Sequence, residues 1–206
     1  LGVALFLLPL SVSLSTPTIR KQRTPTVFDD SHAKSAFGTK DYWDELYSGR
    51  GDFPGDEYSW YYGWNSIQRH VRLPQKETCR ILIPGVGNDP ILLDLIQSGY
   101  RHIVAQDYSE FALERQVDLL EHIDHHNVIL EHRNGLSDVG YKDHFDVVLE
   151  KGLLDAVYLS GDDDRLVEKA VENLSKALKT NGIFVSISGV VPNHLHSKAF
   201  AGFAWL

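Results

Sequence analysis

The chain has 206 residues, 43% of them hydrophobic, which is enough apolar material for a sizeable core and fits one domain. Its net charge of −8, from 20 basic and 28 acidic residues, argues against a nucleic-acid backbone as the main partner and is compatible with a basic protein substrate. The single cysteine, Cys79, excludes an internal disulfide, and without a CxxC framework no metal is assigned.

Leu1 to Leu14, LGVALFLLPLSVSL, is apolar but too short to span a bilayer, which takes about 20 such residues, so no membrane span is expected in the mature protein. It suits the apolar region of a signal peptide, with Val12 to Ser15 as an imperfect cleavage neighbourhood. Ser15 to Phe28 follows, rich in hydroxyls, proline, arginine and lysine and free of acids. Together they resemble a bipartite plastid presequence. Residues 1–35 are therefore expected to be a targeting or disordered segment, implying a plastid or secretory route, with a cytoplasmic location otherwise. The folded domain is assigned to 36–206. The chain starts at Leu1 and contains no methionine, which reads as a truncated N-terminus.

Residues 36–66 are dense in aromatics. A helix is predicted over Asp41 to Ser48, capped by Asp41 and stopped by Gly49-Arg50-Gly51, and a second over Ser66 to Leu73, ended by Pro74. Then strands and helices alternate. Arg80 to Pro84 reads as a buried parallel strand, and Pro90 to Ser98 as a helix with Asp89 at its cap and Pro90 in first position. His102 to Asp107 is the next strand, followed by a helix from Ser109 to His122 with Ser109 as cap. Val128 to Glu131 and Phe145 to Leu149 are further strands. Asp163 to Leu178 carries one apolar stripe at helical spacing, behind the acids Asp162, Asp163 and Asp164 that complement its dipole. Asn181-Gly182 turns into a last strand, Ile183 to Ser188. The repetition implies an α/β fold: a Rossmann-like, mostly parallel sheet with helices on both faces.

The first strand runs into Gly85-Val86-Gly87, where glycines at a strand-to-helix turn let the backbone approach a ligand. Asp107 ends the second strand, where an acid accepts hydrogen bonds from ribose hydroxyls; the alternative, capping the next helix, is one that Ser109 can already serve. Asn134, past the third strand, pairs with an adenine edge or serves the Asn134-Gly135 turn. A dinucleotide oxidoreductase shares the glycines and the acid. Here Pro90 occupies the position of the third glycine, so no close pyrophosphate approach is provided.

Other stretches carry a resemblance. Phe145-Asp-Val-Val-Leu-Glu-Lys-Gly-Leu-Leu-Asp-Ala156, Tyr42-Trp43-Asp44-Glu45-Leu46-Tyr47, Ile81 to Asn88 and Gln106-Asp107-Tyr108-Ser109 closely resemble motifs of a family of class I methyltransferases. That family includes the elongation factor 1A lysine methyltransferases and the methyltransferase-like 13 group. The resemblance covers about residues 37–205. It implies S-adenosyl-L-methionine as cofactor, methyl transfer as the reaction and a protein lysine as acceptor. Trp43, Tyr47 and Trp60 would close over the methionine end, with Gly85 beneath it and Gly87 in the same loop. Asp107 and Tyr108 would hold ribose and flank adenine, Asn134-Gly135 would meet the base, and Lys151 would contact the cofactor. Core packing is the alternative for the aromatics, and a surface cation for Lys151. Leu46 stands where the family has arginine, Pro84 precedes Gly85 in place of a smaller residue, and Asn134 replaces an acid. Family members continue past Trp205 into an antiparallel hairpin, so this chain is expected to lack that hairpin.

Glu150 and Asp155 are the candidates to accept the proton of a lysine amine, or else structural carboxylates capping the next loop. His122, His125, His126 and His132 around Asp124 read as a solvated polar turn rather than a metal site. The rival functions are an NAD-type oxidoreductase and a non-catalytic methyltransferase-fold interaction module.

Overall fold

Apolar runs between glycine and aspartate turns become strands of one parallel sheet. The computed structural model describes residues 17–21, 30–50, 59–125, 127–134, 136, 137 and 139–204. The apolar run 1–14 with its cleavage neighbourhood, Tyr58, His126, Gly135 and Trp205 lie outside the described residues.

The strands are β1 (Ile19–Lys21), β2 (Arg80–Pro84), β3 (His102–Asp107), β4 (Val128–His132), β5 (Phe145–Lys151) and β6 (Leu178–Ile187). The helices are α1 (Lys40–Tyr47), α2 (Trp64–Ile67), α3 (Ile91–Gln97), α4 (Glu110–Leu119), α5 (Leu153–Leu159), α6 (Leu166–Ser175) and α7 (Asn193–Ala199), with a 3-10 turn at Ala36–Gly38 ahead of α1. The sheet order is β1-β4-β3-β2-β5-β6, and every pairing is parallel. Strand order reverses at β2, whose neighbours are β3 and β5. The carboxyl ends of β2 and β5 therefore border the crevice where parallel α/β sheets bind ligands.

Register explains the core. Ile81 of β2 lies between Ile103 of β3 and Val147 of β5, and all three pack with α2 and α3. One residue on, Leu82 lies between Val104 and Val148, and these pack with Leu174 of α6 on the opposite face. The two-residue period of a strand thus divides one unbroken apolar run between two helical layers. Each such fully buried aliphatic side chain contributes about 1.5–3 kcal/mol. A third cluster joins α5, α6 and α7 through Leu154, Val171 and Leu195.

Local departures from the expected elements have physical causes. Helix α1 is capped by Thr39, whose hydroxyl accepts from the Tyr42 amide at 3.3 Å, rather than by Asp41. Helix α2 stops at Ile67; Arg69, His70 and Arg72 offer no apolar stripe, and Pro74 disfavours helix before it. Ser109 is the N-cap residue of α4 as expected, but its hydroxyl donates to Asp44 and makes no cap hydrogen bond, while its own amide donates to Asp107 at 2.9 Å. The turn at Asn181-Gly182 sits inside β6: Leu178 pairs with Phe145 and Ile183 with Val147, so the strand bulges between them and Asn181 takes a φ of +63°. Helices α5 and α7 were not anticipated. Strand β1 pairs Ile19 with Leu130 at the sheet edge, ahead of Ala36, where the sequence placed the start of the fold. No helix among the described residues is long and apolar enough to cross a membrane.

Candidate active site

A cleft of about 540 Å³, including its open mouth, lies at the β2/β5 reversal. That is within the range of small-molecule sites, about 300–1,000 Å³. Its lining includes Trp43, Tyr47, Trp60, Gly85, Gly87, Asp107, Tyr108 and Lys151 of the residues singled out above. Val86, Asn88, Asp89, Gly152, Leu153 and Ala156 complete it.

The floor is backbone and one acid. Gly87 has a φ of +57°, and a β-carbon there would stand 2.7 Å from the Tyr47 hydroxyl, so the loop and the tyrosine close on each other only because the side chain is missing. Asp107 is buried; one carboxylate oxygen accepts from the Gly87 amide at 2.8 Å and the other from the Ser109 amide. Burial pushes its carboxyl up to about 6, against the pull of those two amides. The same desolvation, with Asp107 nearby, raises the Tyr47 and Tyr108 hydroxyls above the ordinary phenol range. Gln116 of α4 holds the loop from behind, donating at 2.9 Å to the carbonyls of both Gly87 and Asp89. The sequence reading missed Gln116; its only signal was a polar residue on the apolar face of a helix.

The opposite wall is aromatic. Trp43 stacks on Tyr47 with ring centroids 5.7 Å apart, lies 5.4 Å from Trp60, and donates its indole N–H to the Phe37 carbonyl at 2.8 Å. Asp44, also on α1, accepts from the Ser109 hydroxyl at 2.5 Å and pairs with Lys40, which ties α1 to the β3–α4 turn. Lys151 lines the cleft, yet its ammonium donates to Ser59 Oγ at 2.9 Å, to the Trp60 carbonyl at 2.5 Å and to the Asp89 carboxylate. These are all three donors an ammonium has.

Three candidates stand outside the cleft lining. Asn134 accepts from the Leu136 amide at 2.9 Å through its side-chain oxygen, the local geometry of a turn. Glu150 is fully buried, accepts from the Ser186 hydroxyl and from the Leu154 amide at 3.3 Å, and is pushed by burial up to about 8. Burial thus favours its protonated form, which is a poor acceptor for the proton of an amine. Asp155 is fully buried and receives five hydrogen bonds: from Tyr61 and Ser188 hydroxyls and from the amides of Gly189, Val190 and Val191. A carboxylate offers about four lone-pair sites, so none is left for an incoming amine. The histidines do not converge: His125 hydrogen-bonds the Ile123 carbonyl and His132 the Tyr108 carbonyl, and among the described residues no metal-binding group of His, Cys, Asp and Glu forms.

The residues present fit S-adenosylmethionine. Two amides on Asp107 leave about two lone-pair sites, the number of hydroxyls on a ribose. The buried indole N–H of Trp60 spends no hydrogen bond among the described residues and can serve a carboxylate. Leu46, where the related motif has arginine, is buried in the core and offers no charge.

No protein-family model matches the chain. By sequence it is similar to EEF1A lysine methyltransferase 2 of Danio rerio, 30% identical over 168 residues that make up 77% of this chain and 72% of that one. The protein of the same name from Mus musculus is 30% identical over 169 residues, 77% of this chain and 68% of that one. By fold it is similar to a solved structure concerned with conversion of a disulfide bond into a thioacetal group during echinomycin biosynthesis, with a TM-score of 0.55 and 19% identity over 70% of this chain. The chain spans 57% of that structure, and the likeness concerns the fold alone.

Proposed function

The chain belongs to the EEF1A lysine methyltransferase family, a branch of the S-adenosylmethionine-dependent methyltransferases, and on that premise we propose that it methylates a lysine side chain of a protein. Membership sets aside the dinucleotide oxidoreductase. The observation that carries the proposal is the cleft itself, with buried Asp107 on its floor and three aromatics on its wall.

When bound, the cofactor supplies an electrophilic methyl group on a sulfonium. Asp107 would hold the ribose hydroxyls, the Gly85–Gly87 backbone would lie beneath, and Tyr108 would flank the base. Trp43, Tyr47 and Trp60 would cover the methionine end and exclude water. A lysine amine attacks only through its lone pair, so it must shed its proton first. An aromatic wall helps, because desolvation lowers the pKa of an ammonium. The proton then leaves to solvent, and the rate comes from positioning and dryness rather than from a side-chain base.

The test is to incubate the purified chain and labelled S-adenosylmethionine with elongation factor 1A and with mixed cytosolic and organellar proteins. Peptide mass spectrometry then looks for a lysine heavier by one methyl group. Including organellar proteins covers the case in which the acid-free N-terminal stretch is an address. Label on residues other than lysine would overturn the acceptor. No label at all, with the cofactor bound, would favour a non-catalytic module.

A further inference from the structure

The β5–α5 corner carries three features that all reach to one short segment of the opposite wall. Lys151 donates to Ser59 Oγ and to the Trp60 carbonyl while anchored on Asp89. Gly152, at a φ of +82°, makes a bare seat for Trp60: a β-carbon there would come within 3.2 Å of the indole ring. Asp155 accepts from the Tyr61 hydroxyl at 2.5 Å. The two polar pins, one before and one after that seat in the chain, act on consecutive residues, so Ser59–Tyr61 cannot rotate about one of them.

Tyr61 gives an independent sign that the segment is held rather than relaxed. Its φ is +65°, a left-handed conformation that costs an aromatic residue energy and persists only where the surroundings over-determine it. The residue is 40% exposed, so core burial is not what holds it there. What holds it is the Asp155 carboxylate and close contact with Gly189, where a β-carbon would stand 2.8 Å from the ring. Asp155 fixes that contact too, because it also binds the Ser188 hydroxyl and the Gly189, Val190 and Val191 amides. Trp60 lies between the pins and lines the cleft.

We propose that Lys151 and Asp155 are positioning residues, which clamp Ser59–Tyr61 across the mouth of the cleft so that Trp60 forms a rigid wall over the cofactor. Neither touches the reacting atoms. The proposal rests on the cleft being the cofactor site and assigns the Glu-Lys-Gly-Leu-Leu-Asp stretch to wall geometry instead of proton transfer. Tyr61→Phe keeps the ring on Gly189 and deletes one pin, and Lys151→Gln deletes the other.

The test uses the full chain and S-adenosylhomocysteine, which binds without turning over. Each variant should raise its dissociation constant about tenfold, the size of one charge-assisted hydrogen bond, while the melting temperature of Tyr61→Phe falls by no more than about 4 °C. Amide exchange should accelerate at residues 59–62 and stay unchanged at 82–89 in the free protein. The double variant should bind about as weakly as either single one, since losing one pin already frees the segment. Unchanged affinity in both variants, or unchanged exchange at 59–62, overturns the clamp while the cofactor site stands. A wild-type chain that does not bind S-adenosylhomocysteine overturns the site and the clamp together.

Discussion

The two walls of the cleft are built in opposite ways. The floor uses neighbours in the chain: the Gly87 amide and the Asp107 carboxylate are 20 residues apart and meet because β2 and β3 pair directly. The far wall is held by side chains reaching across 92 residues, from Lys151 to Ser59, and across 94, from Asp155 to Tyr61. A floor fixed by sheet register is rigid as soon as the sheet exists. A wall fixed by two polar pins can be released by a single atom, and the two halves should answer differently to substitution.

The contrast is broken most severely at Asp155. Asp155→Ala strands five buried or half-buried donors and should cost about 3–4 kcal/mol, lowering the melting temperature by about 10 °C in calorimetry. A drop of less than about 3 °C would mean that the corner does not hold the far wall.

On the floor, Asp107→Ala should weaken S-adenosylhomocysteine binding by about 1–3 kcal/mol in titration calorimetry. A folded variant with wild-type affinity would remove the ribose role.

The same acid makes the floor sensitive to pH. Its carboxyl sits at about 6 instead of 3.8, and ribose hydroxyls donate to the ionised form. Affinity should therefore climb through pH 6 and level off above it, by about tenfold between pH 5 and 7. In the free protein the sign reverses: the folded state keeps this proton longer than the unfolded chain, so the Asp107 contribution to stability falls as pH rises from about 4 to about 6. Affinity that is flat from pH 5 to 7 would place the ribose elsewhere.

The smallest change is expected at Asn134, whose side-chain oxygen is already spent on the Leu136 amide. Asn134→Ala should alter cofactor affinity by less than about 0.5 kcal/mol. A tenfold loss would restore the base-binding role and extend the floor past β3.

The floor was legible in the sequence because its signals are local. A glycine pair after an apolar run, and an acid at the end of the next, lie within one βαβ unit and have positional meaning without knowledge of the rest of the chain. Tyr47, Trp43 and Trp60 could be named only through family resemblance, since aromatic density alone does not separate a wall from a core. The pins were not legible at all. Lys151 looked like a cofactor contact and Asp155 like a base, because a sequence shows a charge but not the partners that consume it. Elements followed the same rule: alternating strands were found, whereas α5, only seven residues long, follows β5 after the single residue Gly152 and was hidden there. Ser109 had the right residue type for a cap and takes the cap position, yet its hydroxyl is spent on Asp44, a partner the sequence could not show.

The long separation between pins and wall also sets an order of events during synthesis. Ser59 to Tyr61 are translated before any strand from β2 onward; Trp60 has Phe37 and Trp43 to pack against from the start, but both polar pins are missing until the chain has grown to Lys151 and Asp155. At about 5–20 residues per second that delay is about 5–20 s, during which the tryptophan that later lines the cleft is left without its seat on Gly152. Closing so large a loop adds little entropy beyond what closing a shorter one costs, so the penalty is mainly one of time. The glycine loop and its acid are thus synthesised well before the pins that fix the wall above them.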